Sequence, residues 1–259
     1  MRYYVISDIH GFYKETIEAL KEKGYFSDTE PHKLIICGDL LDRGKETNEI
    51  VDFVLERMKN DEIILIRGNH EDLLLDLVDK IHDYLPFPEF THHGTNGTFK
   101  TALALSKMSK TDVEINPELF TKRALASPFI RKIIPKMVDY FETDNYIFVH
   151  GWIPCVETRY RGEEKTYKRQ KNWRKATKRE WEKARWYNGM AAHACGAYEE
   201  GKTIVCGHFH TAWGHSVIDG KGSTSGSKAI YTPYYKDGII AIDGCTAYTK
   251  KVNCIIIED

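Results

Sequence analysis

No apolar run in this 259-residue sequence approaches the roughly 20 residues needed to span a bilayer. The longest, such as Leu34 to Cys37 and Ile255 to Ile257, suit buried strands, so no membrane partner is expected. Net charge is lacking too: 37 basic and 38 acidic residues leave −1. No global field therefore draws the chain to nucleic acid or a membrane surface. The six cysteines (Cys37, Cys155, Cys195, Cys206, Cys245 and Cys254) are scattered with no C-x-x-C pair. They read as reduced, mostly buried thiols rather than a disulfide frame or a zinc knuckle. There is no signal-peptide pattern and no internal repeat. Met1 to Ile6 runs straight into a strand pattern, and a cytoplasmic location is expected.

What is present is the composition of a globular protein, 42% hydrophobic and 29% charged. Tyr3 to Ser7, Leu34 to Cys37 and Ile63 to Ile66 are short β-rich runs, each followed by a polar loop and then, for the first two, apolar residues at helical spacing. Repetition of strand, loop and helix predicts parallel βαβ units. The stretch 72–142 then reads almost wholly as helix, with breaks at Pro86, Pro88, Gly94 to Gly97 and Pro128, and a helix start at Asn116-Pro117. Asn145 to Val149 and Thr203 to Cys206 return to strand, separated by a lysine- and arginine-rich insertion at about 155–200 with a helix expected around Lys178 to His193. Further strands are expected at His215 to Ile218, at Ile239 to Asp243 and at Val252 to Ile257, the last two joined by a turn. A Gly/Ser loop spans Gly220 to Lys228.

Five strand ends share one property. Each carries metal-ligand residue types: Asp8 and His10, then Asp39, then Asn69 and His70, then His150, then His208 and His210. Strand ends of a parallel or mixed sheet share an edge, so these residues converge. Carboxylate, amide and imidazole donors without thiolate suit manganese, iron, zinc or magnesium. They are too many for one tetrahedral ion, and two ions sharing a carboxylate would use them all. Two ions about 3.5–4 Å apart can lower the pKa of a bridging water and clamp a phosphoryl group. Arg43 supplies positive charge for phosphate oxygens, and His70 a proton for the leaving group.

The blocks SDIHG (7–11), GDLLDRG (38–44), GNHE (68–71), HG (150–151) and GHFH (207–210) resemble the motif series of the calcineurin-like metallophosphoesterases, in particular the phosphoprotein phosphatase branch that includes small bacterial and phage serine/threonine phosphatases. The resemblance implies an α/β fold, a four-layer α/β/β/α sandwich, here one domain over 1–259 with the two helical insertions. It implies Asp8 and His10 on a first metal, Asp39 bridging, and Asn69, His150 and His208 on a second. His210 matches the extra histidine that completes the first site in the wider superfamily; many protein phosphatases read GHT there, and GHFHT departs from them. By the same resemblance His70 is the proton donor oriented by Asp42, Arg43 holds phosphate, and Arg185, in Ala184-Arg185-Trp186, matches the setting of a second phosphate-binding arginine. The stretches Gly94 to Thr101 and Ile240 to Gly244 also match family positions without an assigned role, and His92 and His93 read as surface loop residues.

Between Arg159 and Arg185 basic residues outnumber acidic ones, with Trp173, Trp181 and Trp186 interleaved. That mixture suits a solvated helical face with inward tryptophans, or phosphate and base contacts. The Gly/Ser loop is either a plain connection or a flap over substrate. The expected activity is metal-dependent phosphate monoester hydrolysis of the serine/threonine phosphatase kind, with two divalent ions. Manganese is the expected metal, with iron, zinc or magnesium as alternatives. The alternative activity is symmetrical diadenosine tetraphosphate hydrolysis, since that subgroup usually carries GNHD where this chain has GNHE. A nuclease or cyclic phosphodiesterase, or an inactive RNA-binding scaffold, follows. The expected partner is a phosphorylated substrate, phosphoprotein or dinucleoside polyphosphate; nucleic acid is not favoured.

Overall fold

The computed structural model describes residues 1–158 and 166–259. Arg159, Arg161, Glu163, Glu164 and Lys165 of the basic insertion lie outside the described residues. Among the described residues eleven strands follow in chain order: β1 (Arg2–Ile6), β2 (His32–Cys37), β3 (Ile63–Ile66), β4 (Phe141–Glu142), β5 (Tyr146–Phe148), β6 (Cys155–Thr158), β7 (Thr166–Arg169), β8 (Thr203–Cys206), β9 (Tyr234–Lys236), β10 (Ile239–Ala241) and β11 (Ile255–Glu258). They form a four-stranded sheet ordered β11-β1-β2-β3, a five-stranded sheet ordered β4-β5-β8-β10-β9, and the separate hairpin β6-β7. β1, β2 and β3 are mutually parallel, as are β5, β8 and β10. Both parallel sets therefore end on loops that can face one another.

Three cores separate four layers. Tyr3, Val5, Ile35, Cys37, Ile66 and Ile255 of the first sheet meet Phe148, Val205 and Ile242 between the sheets. The outer face of the first sheet, with Tyr4, Ile6, Leu34 and Ile36, is covered by helices α1 (Tyr13–Glu22), α2 (Thr47–Lys59) and α3 (Asn69–Asp79) and the helical segment that follows. The outer face of the second sheet packs against Trp152, Trp173, Trp181, Ala184 and Met190. A strand buried on both faces needs an uninterrupted apolar run, which is why Leu34-Ile35-Ile36-Cys37 shows no alternation. The expected α/β four-layer sandwich is observed. No helix among the described residues is long and apolar enough to cross a membrane.

Local signals account for several boundaries. Asn116 caps the helix Pro117–Ala126 through its Oδ1, which accepts the Leu119 N–H at 2.9 Å, with proline in the first turn. Thr177 and Glu180 form a reciprocal capping box on Lys178–Ala184. Four sequence expectations are corrected. His215 to Ile218 lies in a π-helical turn, Gly214–Ile218, instead of a strand. So short an apolar run carries no periodicity that distinguishes the two. The helix expected over Lys178 to His193 is two, Lys178–Ala184 and Gly189–Ala194. The insertion at 155–200 opens with the hairpin β6-β7, so it is not wholly helical. Finally, β10 and β11 are not turn-linked neighbours: β10 runs parallel to β8, while β11 runs antiparallel to β1 in the other sheet.

Some of the basic residues of the insertion are paired with acidic side chains. Arg174 makes a two-pronged pair with Glu142, Nε to Oε2 at 2.8 Å and Nη2 to Oε1 at 2.6 Å, and also reaches Glu199. Arg169 pairs with Glu199 and Lys202 with Glu142. Trp173 and Trp181 are buried, with the Arg174 guanidinium 4.4 Å from the Trp173 ring centre. The inward reading holds for these two tryptophans; Trp186 faces solvent with half its surface.

Candidate metal centre

The loops after β1, β2, β3, β5 and β8 bring the strand-end residues together. Their backbones are forced into an unusual shape. Asp8, His10, Asp39, Asp42, Arg43 and His208 all have positive φ, between 47° and 75°. Each such residue costs about 1–2 kcal/mol relative to an ordinary conformation. A cost concentrated on six polar loop residues marks side chains held in place by tertiary contacts.

Asp39 is the hub. Its Oδ2 lies 3.8 Å from His10 Nε2 and 3.8 Å from His70 Nε2, while Oδ1 lies 3.3 Å from His150 Nε2. Potential ligand atoms of His10, Asp39 and His70 fall within 4.8 Å of one another, and so do those of Asp39, His150 and His208. Asn69 Oδ1 is 2.8 Å from His150 Nε2. Asp8 joins from β1: its Oδ2 accepts the His208 N–H at 2.9 Å. All of these are buried save His208, which is partly exposed.

The three histidines expected as ligands share a second contact. A ring nitrogen of His10 faces the Leu41 carbonyl at 3.0 Å, one of His150 faces the Cys37 carbonyl at 2.7 Å, and one of His208 is turned towards the Trp186 carbonyl. A carbonyl only accepts, so that nitrogen must carry the hydrogen and the other is left with a lone pair. For His10 and His150 that lone pair is on Nε2, which faces Asp39. This is the outer contact that metal-binding histidines use to set their tautomer. Burial lowers the pKa of all three, His208 to about 3, so they are neutral donors.

The carboxylates tell the same story from the other side. Burial, then Asp243 and Asp39, push Asp8 well above the carboxylate range. Asp39 is also desolvated, but His150, His70, His10 and His208 around it more than offset this and hold it low. Buried carboxylates crowded beside neutral imidazoles fit divalent cations, which would relieve the repulsion. The donor set therefore fits divalent metal ions.

His70 differs from the other histidines. Its Nδ1 lies 2.6 Å from Asp42 Oδ2, and its Nε2 is 3.3 Å from Arg43 Nη2. Burial lowers its pKa, but Asp39 and Asp42 outweigh that and raise it overall. Asp42 is itself fixed by Thr98, whose hydroxyl donates to Oδ2 at 2.7 Å, and by Thr101, whose Oγ1 accepts the Asp42 N–H at 3.1 Å. Arg185 is buried and clamped by Asp72, 2.5 Å from Nη1, and by Asp139. His210 is in neither of the two histidine groups around Asp39; its ring stacks on Phe209 with centroids 5.4 Å apart and meets Tyr231 at 5.9 Å.

Sequence reasoning missed four contributors. Glu71 accepts the N–H groups of Gly68, Leu40 and Asp39 at 2.8, 3.0 and 3.2 Å, tying the loop after β2 to that after β3. Burial and then Asp39 raise its pKa to about 7. Asp243, two residues past β10, lies beside Asp8 and Asp39, and burial raises it to about 6. Thr98 and Thr101 are the other two. Their stretches matched family positions, which was the available signal, but a role for each needs contacts across the fold. His93 is a correction: it is fully buried, with Nε2 3.1 Å from Asp76 Oδ2, rather than a surface loop residue. The Asp76 carboxylate is already engaged by Lys80 and Tyr84.

A sandwich of two facing sheets with such a centre at their loop edge defines a metal-dependent phosphoester hydrolase. The chain belongs to the calcineurin-like phosphoesterases, whose family model matches residues 1–238. Over 120 residues it is 32% identical to the asymmetrical bis(5'-nucleosyl)-tetraphosphatase PrpE of Bacillus velezensis, covering 44% of this chain and 45% of that one. Over 71 residues it is 41% identical to the symmetrical bis(5'-nucleosyl)-tetraphosphatase of Buchnera aphidicola subsp. Schizaphis graminum, covering 27% of this chain and 24% of the relative. The chain thus spans less than half the length of either relative. In fold it resembles the cold-active protein-tyrosine phosphatase of a Shewanella species, with a TM-score of 0.52 and 16% identity over all of this chain and 75% of that one.

Proposed function

We propose that the chain hydrolyses dinucleoside polyphosphates at a centre of two divalent metal ions, with manganese as the resident metal and a cytoplasmic location. The observation that carries the metal-centre reading is Asp39: a buried carboxylate whose two oxygens face different histidine groups, with His10 and His150 each presenting a lone pair set by a backbone carbonyl. Asp8 and His10 would hold one ion, Asn69, His150 and His208 the other, and Asp39 both. Bound there, the ions supply an activated water and neutralise phosphate charge. Arg43 and Arg185 would bind phosphate oxygens, Arg185 at the expense of part of its clamp by Asp72 and Asp139.

In the observed arrangement the Arg43 guanidinium faces His70 Nε2, while Nδ1 donates to Asp42. A phosphate would draw Arg43 away and leave Nε2 open. With its pKa raised by Asp39 and Asp42, His70 can then carry a proton on Nε2 and pass it to the leaving oxygen.

The substrate assignment is supported by the names of the relatives, both bis(5'-nucleosyl)-tetraphosphatases. This reverses the order suggested by the motifs, which put phosphoprotein first. Phosphoprotein hydrolysis remains the second reading, favoured by Glu71, the protein-phosphatase form of the GNHE block, which here braces two site loops. Comparing kcat/KM of the manganese-loaded protein on diadenosine tetraphosphate, phosphoserine, phosphothreonine and phosphotyrosine peptides and a cyclic nucleotide tests the choice. The dinucleotide is expected to rank first. A phosphopeptide in first place would overturn the substrate, and no hydrolysis at all would overturn the centre.

A further inference from the structure

Trp186 stands where the metal centre meets a surface cleft. Its carbonyl is turned towards a ring nitrogen of His208, and its indole meets the His208 imidazole edge-on at 5.7 Å between centroids. Yet the residue is 50% exposed. It is also held firmly: its N–H donates to the Lys183 carbonyl, Arg185 before it is clamped by two aspartates, and Tyr187 after it is buried with its hydroxyl donating to the Cys155 carbonyl. The cleft on its other side has a volume of about 620 Å³ and is lined in part by Val156, Glu157, Gln170, Lys183, Trp186 and Tyr187. That volume lies in the range of small-molecule sites.

The other two tryptophans of this segment are spent on the core, so the exposure of Trp186 does not follow from composition. A large, fixed aromatic face beside a phosphate-binding centre suits a planar ring attached to that phosphate. Lys183 adds a cation at the rim, and Gln170, whose Nε2 donates to Glu180, adds an amide oxygen able to accept from the exocyclic amine of a base.

We propose that this cleft binds a nucleobase of the dinucleoside polyphosphate, stacked on Trp186 while the phosphate chain reaches the metal centre. This rests on the phosphohydrolase reading above and names the part of the substrate that the metal centre does not hold.

The test uses the manganese-loaded chain and its Trp186→Ala and Trp186→Phe variants, with circular dichroism as the folding control. KM is measured for diadenosine tetraphosphate, for the ring-less ester glycerol 2-phosphate and for a phosphoserine peptide. Base stacking on an aromatic is worth roughly a 5- to 150-fold change in affinity. The ratio of the dinucleotide KM to the glycerol phosphate KM is expected to rise by about that factor in Trp186→Ala and to return most of the way in Trp186→Phe. An equal effect on all three substrates would mean that Trp186 only supports His208, and it overturns the proposal. So does an effect confined to the phosphopeptide. If the wild-type chain hydrolyses none of them, the parent reading has failed, and titration with adenosine monophosphate followed by tryptophan fluorescence decides the cleft alone. Weaker binding by Trp186→Ala then supports it, and equal or undetectable binding overturns it. Should Trp186→Ala not fold, the same comparison is made with Trp186→Leu.

Discussion

Replacing Gly68 by alanine is the sharpest structural perturbation of this site. The backbone there, with φ −97° and ψ 177°, is open to alanine, so the effect comes from the added carbon alone. A Cβ at Gly68 would sit 2.1 Å from Asp39 Oδ1, 2.5 Å from Asp39 N and 2.8 Å from Glu71 Oε2. Relief requires Asp39 and the loop after β2 to retreat by about 1 Å, which pulls on the Glu71 brace. Overpacking of this kind costs about 1–3 kcal/mol, or about 2–12 °C in Tm for a chain of this size. A misplacement near 1 Å costs about 100-fold in rate. The assay is kcat/KM with saturating manganese, Tm by calorimetry and metal content after gel filtration. As a control, Gly196→Asn at an open left-handed position, with nothing within 4 Å of the added carbon, should keep the wild-type rate. A Gly68→Ala protein with wild-type rate and metal content would refute the claim that the loops after β2 and β3 are locked together around Asp39.

Other expectations follow from the same geometry. His70→Asn should lower kcat by about 100- to 10,000-fold while metal content stays at the wild-type level; lost metal would move His70 from acid to ligand. Thr98→Val removes one hydrogen bond to Asp42, at about 1 kcal/mol, and should lower kcat about five-fold; an unchanged rate would mean that Asp42 needs no second anchor. Glu142 is held at about 2 by its hydrogen bonds to Arg174 and Lys202. A lowered folded pKa means stability that is fully present above the unfolded value near 4.5 and lost as pH falls towards 2. Glu142→Gln should therefore cost about 1–2 kcal/mol at pH 7 after allowance for screening, with the gap to wild type closing between pH 4.5 and 2. A constant gap across that range would contradict the assignment.

The convergence of the site was legible because its ligands occupy strand ends, and strand ends share an edge whatever the helices do. Helix starts with a local cause were legible too, as at Asn116-Pro117. What escaped was set by partners far away in the chain. Ile239 to Ala241 and Ile255 to Glu258 look alike in sequence, and only pairing with β8 or with β1 sends them to different sheets. The bond from Thr98 to Asp42 spans 56 residues, and Glu71 reaches Leu40 across 31. The tryptophans divide for a similar reason. Trp181 lies within the helix Lys178–Ala184 and packs inward, while Trp186 falls just beyond its end and turns towards His208 and solvent.

The most direct measurement of the central claim is the number of manganese ions bound per chain, by isothermal titration and elemental analysis, for wild type and Asp39→Asn. Two ions in the wild type, with at most one and a collapse of turnover in Asp39→Asn, is the expected result. Full turnover with a single ion, or two ions still held by Asp39→Asn, would contradict a centre bridged by Asp39.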